Sequence, residues 1–150
     1  MIRTSRNAAA LALVTFAMVA CQQSPSSEPA PVVDSNADAA VSGEVRATGS
    51  FSGLNDHVVS GQVFLVETDG AHVLRFGDDF SHDEAPDPKV GFGNDGEYDS
   101  STTFSPLKSR SGAQSYVVPG EIDVSKYNEV YVWCEQFAVP LAVATIVEGG

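Results

Sequence analysis

Two cysteines, Cys21 and Cys134, are the only thiols in this 150-residue chain, and they sit in unlike surroundings. Cys134 closes the run Tyr127-Asn128-Glu129-Val130-Tyr131-Val132-Trp133-Cys134-Glu135-Gln136-Phe137. Trp133 and Tyr131 beside it are side chains that can relay charge. A lone thiol cannot form an internal disulfide, so redox work at Cys134 requires a mixed disulfide with a partner, a sulfenic acid, or a bound metal or haem. No Cys-x-x-Cys-His haem attachment and no second ligand set accompanies it. The cofactor is therefore unspecified, with haem or a redox metal standing only as hypotheses. The structural alternative is that Cys134 is a small core hydrophobe, because free cysteine is among the most often buried residue types.

Cys21 ends a different pattern. Arg3 and Arg6 form a positive leader, and Ala8 to Ala20 form an apolar run too short for a comfortable membrane span. The run closes in Met18-Val19-Ala20-Cys21, which resembles the bacterial lipobox, with Met18 where leucine is usual. That resemblance implies removal of residues 1–20 and a lipid anchor on Cys21, which places the protein at the bacterial cell envelope. It also accounts for Cys21 and leaves Cys134 alone. Gln22 and Gln23 stand where an inner-membrane retention signal would carry Asp, so the outer membrane is favoured in a two-membrane host. Residues 22–44 are rich in Pro, Ser, Asp and Ala with no aromatic residue, a composition that cannot bury enough apolar surface to fold. They read as a flexible tether that reaches several nanometres when extended.

Other candidate ligands are scattered. Asp78, Asp79, Asp83, Glu84, Asp87, Asp95, Glu97 and Asp99 crowd one segment with enough oxygen to hold calcium, but not in the spacing of a calcium loop. A solvated acidic loop is the expected outcome. His57, His72 and His82 likewise lack a metal-ligand spacing, and no metal site is assigned to them. No nucleophile elbow, zinc-protease helix or phosphate-binding glycine loop is present, which argues against conventional catalysis. Acidic residues outnumber Lys and Arg by 20 to 8, for a net charge of −12, so a phosphate backbone would be repelled and nucleic acid is excluded as a partner.

These residues must be held by strands. From Val45 onward short apolar runs alternate with Gly, Asp, Asn and Pro, and helical periodicity never lasts three turns. The fold class is all-β, a single antiparallel β-sandwich over residues 45–150. In the Cys134 strand, period-2 alternation puts Val130, Val132 and Cys134 on one face and Tyr131, Trp133 and Glu135 on the other. Large groups on both faces place that strand inside a sheet and point Cys134 into the domain. The clearest hairpin joins Val63–Thr68 to Ala71–Phe76 through Asp69-Gly70, a type I′ turn pair. Its register sets Glu67 opposite His72, Leu65 opposite Leu74 and Val63 opposite Phe76. Further strands are expected at 45–51, at 58–59, around 89–92, at 114–118, at 127–135 and at 139–147. Gly61 is expected to mark a bulge, residues 77–111 to be mostly loop, and Asp87 between two prolines to brace its loop through backbone N–H groups.

Taken in order, several fragments resemble the DM-thirteen domain, an electron-transfer domain. They are Phe51-Ser52-Gly53, His57-Val58-Val59-Ser60-Gly61-Gln62-Val63, Val73-Leu74-Arg75-Phe76, Asp79-Phe80, Ala85-Pro86-Asp87-Pro88-Lys89-Val90, Leu107-Lys108, Gly112-Ala113-Gln114-Ser115-Tyr116, Pro119, Ile122-Asp123, Tyr127, Val130 and Trp133-Cys134 through Phe137. The likeness runs from about Ser50 to Val147. It implies a β-sandwich of about one hundred residues, found alone in bacterial secreted proteins and lipoproteins and beside haem-binding-type domains in animal extracellular proteins. It further implies that Cys134 takes part in redox chemistry with a protein partner. The alternative function is a non-catalytic envelope domain that binds a ligand or protein and keeps Cys134 as a structural residue. Mass spectrometry of the native N-terminus should find an acylated Cys21. An unmodified Cys21 in membrane-free extract would overturn the anchor.

Overall fold

The computed structural model describes residues 42–149. The expected signal peptide, the lipid site at Cys21 and the tether as far as position 41 lie outside the described residues. In chain order the strands are β1 (Glu44–Ser50), β2 (Ser52–Gly53), β3 (Val59–Ser60), β4 (Gln62–Thr68), β5 (Ala71–Phe76), β6 (Ser81–His82), β7 (Pro88–Asn94), β8 (Glu97–Tyr98), β9 (Ser105–Pro106), β10 (Gln114–Val117), β11 (Glu129–Cys134) and β12 (Val139–Glu148). Single 3₁₀ turns fall at Ser100–Thr102 and Val124–Lys126.

The main sheet has ten strands in the order β10-β5-β4-β1-β12-β11-β7-β8, with β2 on β12 and β9 on β7. All of its pairs are antiparallel, and β12 holds its two halves together. The last residues of β12 pair with β1, through Ala47 opposite Glu148, and its earlier residues pair with β11, through Val130 opposite Ala144. The sheet curls there and closes over one core. Val63, Leu65, Leu74, Phe76 and Tyr116 come from one half, and Val90, Phe92, Val130, Val132 and Cys134 from the other. Such a core follows from alternation, since each of these strands offers every second residue to the same interior.

The β4–β5 hairpin has the expected register, including Glu67 opposite His72 and Val63 opposite Phe76. Asp69 and Gly70 both take positive φ, 49° and 77°, as a type I′ turn requires. Other expectations shift. Gly61 is not a bulge but a link between β3 and β4 at φ 112°, and a Cβ there would lie 2.4 Å from the Phe80 Cα. The register shifts occur instead at Arg46 in β1 and Leu141 in β12. The shift at Leu141 turns both Leu141 and Ala142 into the core. Residues 77–111 hold more strand than expected, because β7 starts one residue before the predicted run, continues two residues past it and turns through Asp95-Gly96 into β8. β11 begins two residues later than expected, since Tyr127 closes the second 3₁₀ turn by donating its N–H to the Val124 carbonyl.

β11 lies between β7 and β12 and is packed on both faces, as its composition requires. Its outer face is covered because β7 presents Gly91 and Gly93 there. A Cβ on Gly93 would come 2.2 Å from the Glu97 carbonyl oxygen and 2.6 Å from the Tyr131 ring; one on Gly91 would come 2.8 Å from the Tyr98 hydroxyl. Gly93→Ala should therefore destabilise the domain by about 1–3 kcal/mol through overpacking. Equilibrium denaturation checks this, and an unchanged midpoint would show that the aromatic cover yields without cost.

Candidate functional site

Cys134 ends β11 opposite Pro88 on β7 and Val139 on β12. Its residue is 1 % exposed, its thiol is free, and it belongs to the core cluster. The Sγ donates to the Pro86 carbonyl at 3.1 Å. Pro86 itself is exposed, so the thiol lies under a single layer of loop. Asp87 fastens that loop. It sits at φ 47°, its carbonyl accepts the Glu135 N–H at 3.2 Å, and its carboxylate meets Lys89 Nζ at 2.6 Å. It thus braces the loop by holding the Glu135 backbone N–H through its carbonyl, as expected, while its carboxylate serves the Lys89 ion pair. Lys89 pairs across the sheet with Trp133. It therefore projects from the face opposite Cys134 and brings no positive charge to the sulfur.

Trp133 occupies that opposite face. Its indole is half-buried and stacks on Tyr98, with ring centroids 4.4 Å apart and planes 14° from parallel. Tyr98 also meets Tyr131 edge-on at 5.5 Å, and its hydroxyl is hydrogen-bonded to Thr103 Oγ1 at 2.5 Å. Burial raises the Tyr98 phenol above its ordinary value; the Thr103 bond works against this, and Glu135 and Asp99 add to it. Tyr131 is 1 % exposed and donates to Glu129 Oε2 at 3.1 Å. Burial first, then the Glu129 hydrogen bond and charge, push its phenol up to about 12.

The strand thus brings Cys134, Trp133 and Tyr131 together in sequence but divides them between two faces. Tyr98 and Glu129 belong to the same constellation and were not anticipated. Their signal was the alternation Gly91-Phe92-Gly93, two absent side chains on the face of β7 that adjoins Tyr131 and Trp133.

The histidines are partly gathered. His57 Nδ1 and Asp83 Oδ1 are 2.8 Å apart, His82 Nδ1 meets the Asp83 carbonyl at 2.5 Å, and the two rings lie 6.1 Å apart. Asp83 Oδ2 takes the Val58 N–H. Partial burial pushes the Asp83 carboxyl up, but the Val58 and His57 hydrogen bonds and the two imidazoles together hold it below its ordinary value. His72 is elsewhere, across from Glu67 in a cleft with Arg46 and Tyr127. Among the described residues no three His, Cys, Asp or Glu side chains are grouped to hold a metal. The acidic segment uses its oxygens on backbone donors: Asp79 takes the Gln62 N–H, and Asp99 takes the Ser101 N–H.

An all-β antiparallel domain with one buried thiol beneath a loop, and a stacked aromatic face on the other side of the same strand, defines a small sandwich module. The chain belongs to the family described as Electron transfer DM13, whose match covers residues 50–146, nearly two thirds of its length. No curated protein and no solved structure matches it.

In the native protein Cys134 should react slowly with a thiol reagent, because the segment around Pro86 must open first. Cys134→Ser should cost about 1–3 kcal/mol, since the shorter C–O bond carries the hydroxyl away from the Pro86 carbonyl in an apolar site. Thiol labelling and denaturation of the variant measure the two effects, and labelling as fast as in unfolded chain would refute the first.

Proposed function

We propose that the chain is a lipid-anchored protein of the bacterial cell envelope, held by Cys21, whose domain exchanges electrons with a protein partner. Cys134 is the redox group and Trp133 the relay. The observation that carries this reading is the placement of the two as consecutive residues of β11 on opposite faces of the sheet. The sulfur lies inside under Pro86 and the indole lies outside on Tyr98, so one peptide unit separates the enclosed group from a half-buried ring on the outer face. Family membership supports the electron-transfer class. Access to the sulfur requires the loop that carries Pro86 and Asp87 to lift, a local opening with far fewer contacts to break than unfolding.

A second reading has its own support. The burial of Cys134 and its bond to a backbone carbonyl suit a structural residue. The exposed Phe137 at the tip of the β11–β12 hairpin, 62 % exposed, suits a binding domain. Protein-film voltammetry, with an absorption spectrum and elemental analysis of the same preparation, separates the two. The first reading expects a redox wave that disappears in Cys134→Ala and slows in Trp133→Phe. A wave unaffected by Cys134→Ala, or none at all, would leave the thiol structural, and a chromophore or redox metal would move the chemistry onto a bound group.

A further inference from the structure

Glu129 opens β11 as a carboxylate only 8 % exposed. Burying such a group is costly unless donors surround it. Its Oε2 accepts two hydrogen bonds, from the Gly96 N–H at 2.8 Å and from the Tyr131 hydroxyl at 3.1 Å. A strand that needed only bulk at position 131 would be served by Phe, with no buried acid beneath it. Here a buried phenol already points its proton at a base.

The same phenol ends a chain of rings. Tyr131 touches Tyr98 at 5.5 Å, Tyr98 stacks on Trp133 at 4.4 Å, and Tyr98 lines an open cleft of about 380 Å³ together with Asn94, Glu97, Asp99 and Ser100. Glu97 and Asp99 give the cleft negative charge, and Glu135 acts on the Tyr98 phenol from the far end of β11. In a chain of net charge −12, that surface attracts a cation.

We propose that Tyr131 and Glu129 form a proton-coupled radical site, fed through Tyr98, on which Trp133 stacks, from a cationic, high-potential one-electron oxidant at the acidic cleft. One electron leaves the ring cluster for the oxidant, which is reduced by one. The hole settles on Tyr131 as its phenolic proton passes to Glu129. Phenol, carboxylate and oxidant thus become neutral tyrosyl radical, carboxylic acid and reduced oxidant. Tyr131 is the resting place because an oxidised phenol is strongly acidic and a carboxylate stands ready to take the proton. The Tyr98 hydroxyl is hydrogen-bonded instead to the hydroxyl of Thr103, a far weaker base. Before oxidation the proton is firmly held, since burial and the Glu129 charge raise the Tyr131 phenol to about 12.

The inference rests on the electron-transfer reading of the domain but not on Cys134. It is tested by flash-quench oxidation of the full chain with photogenerated tris(bipyridine)ruthenium(III), a cation, while transient absorption separates the narrow tyrosyl band from the broad indolyl band. The wild type should give tyrosyl radical with a solvent deuterium isotope effect, and the oxidation should slow as salt is added. Tyr131→Phe and Glu129→Gln, each checked for an unchanged circular dichroism spectrum, should cut the tyrosyl yield several-fold in favour of the indolyl radical. Tyr127→Phe, which removes the hydroxyl bonded to Asp99 at 3.0 Å, should leave it unchanged. A tyrosyl yield that survives Tyr131→Phe, or that follows Tyr127 instead, overturns the site. Loss in Tyr131→Phe with no change in Cys134→Ala supports the site while counting against the thiol. Loss in Cys134→Ala with none in Tyr131→Phe does the reverse.

Discussion

The antiparallel pairing of β11 between β7 and β12 is the constraint from which the chemistry of this domain follows. Residues of a strand alternate between faces, so a strand paired on both sides has no freedom to rotate its side chains into another arrangement. Val130 opposite Phe92 and Ala144 fixes the inward set. Trp133 and Cys134 are then separated by the sheet itself, although they are neighbours in sequence. A slip of one residue would bury the indole and expose the thiol, and the apolar complement of Val90, Phe92 and Ala144 opposes it. The extra residue at Leu141 belongs to the same design. It bends β12 beside the Cys134 end of β11 and adds a leucine to the core.

Acidity is the second organising fact. In a domain this small, a large excess of carboxylates would repel itself if every one were merely solvated. Several are instead fixed to backbone donors at the points where strands break off. Asp79 holds Gln62 at the start of β4, Asp83 holds Val58 just before β3, and Asp99 and Asp123 cap the two 3₁₀ turns. Asp99 and Asp123 lie below their ordinary carboxylate values, chiefly through the hydrogen bonds from the Ser101 and Ser125 hydroxyls. A carboxyl held low in the folded state contributes stability that is present above its unfolded pKa, about 4, and is lost as pH falls through the lower folded value. Asp83 follows the same sign, so the stability that these three carboxylates contribute is present at neutral pH and lost in acid.

What could be read from the sequence divides along contact range. The β4–β5 hairpin was legible to the residue because Asp69-Gly70 and the flanking apolar pairs decide it locally. The two faces of β11 were legible because alternation is a property of the strand alone. The bulges at Arg46 and Leu141 carry no glycine and arise from how β1 and β12 fit their partners, which no local pattern records. Gly61 misled for the opposite reason: its missing Cβ answers to the Phe80 backbone from a later segment. His57 and His82, 25 positions apart, meet through Asp83 and the short β3–β6 pair, and Tyr98 has room beside Trp133 because Gly91 of β7, where a Cβ would strike its ring, lies beneath it.

The two halves of the candidate site make opposite demands. A thiol used for exchange with a partner needs access and a positive neighbour, and Cys134 has a carbonyl above it with Lys89 on the other face. An aromatic relay needs the reverse: a rigid, partly enclosed stack that keeps its rings in van der Waals contact while one edge reaches solvent. The Tyr131, Tyr98 and Trp133 face meets that demand in the resting fold, without any segment moving. If the domain passes electrons, its static structure is therefore suited to one-electron traffic across the outer face of β11. Two-electron thiol chemistry at Cys134 instead requires the loop at Pro86 and Asp87 to open, against the Lys89 ion pair and the Glu135 hydrogen bond that close it.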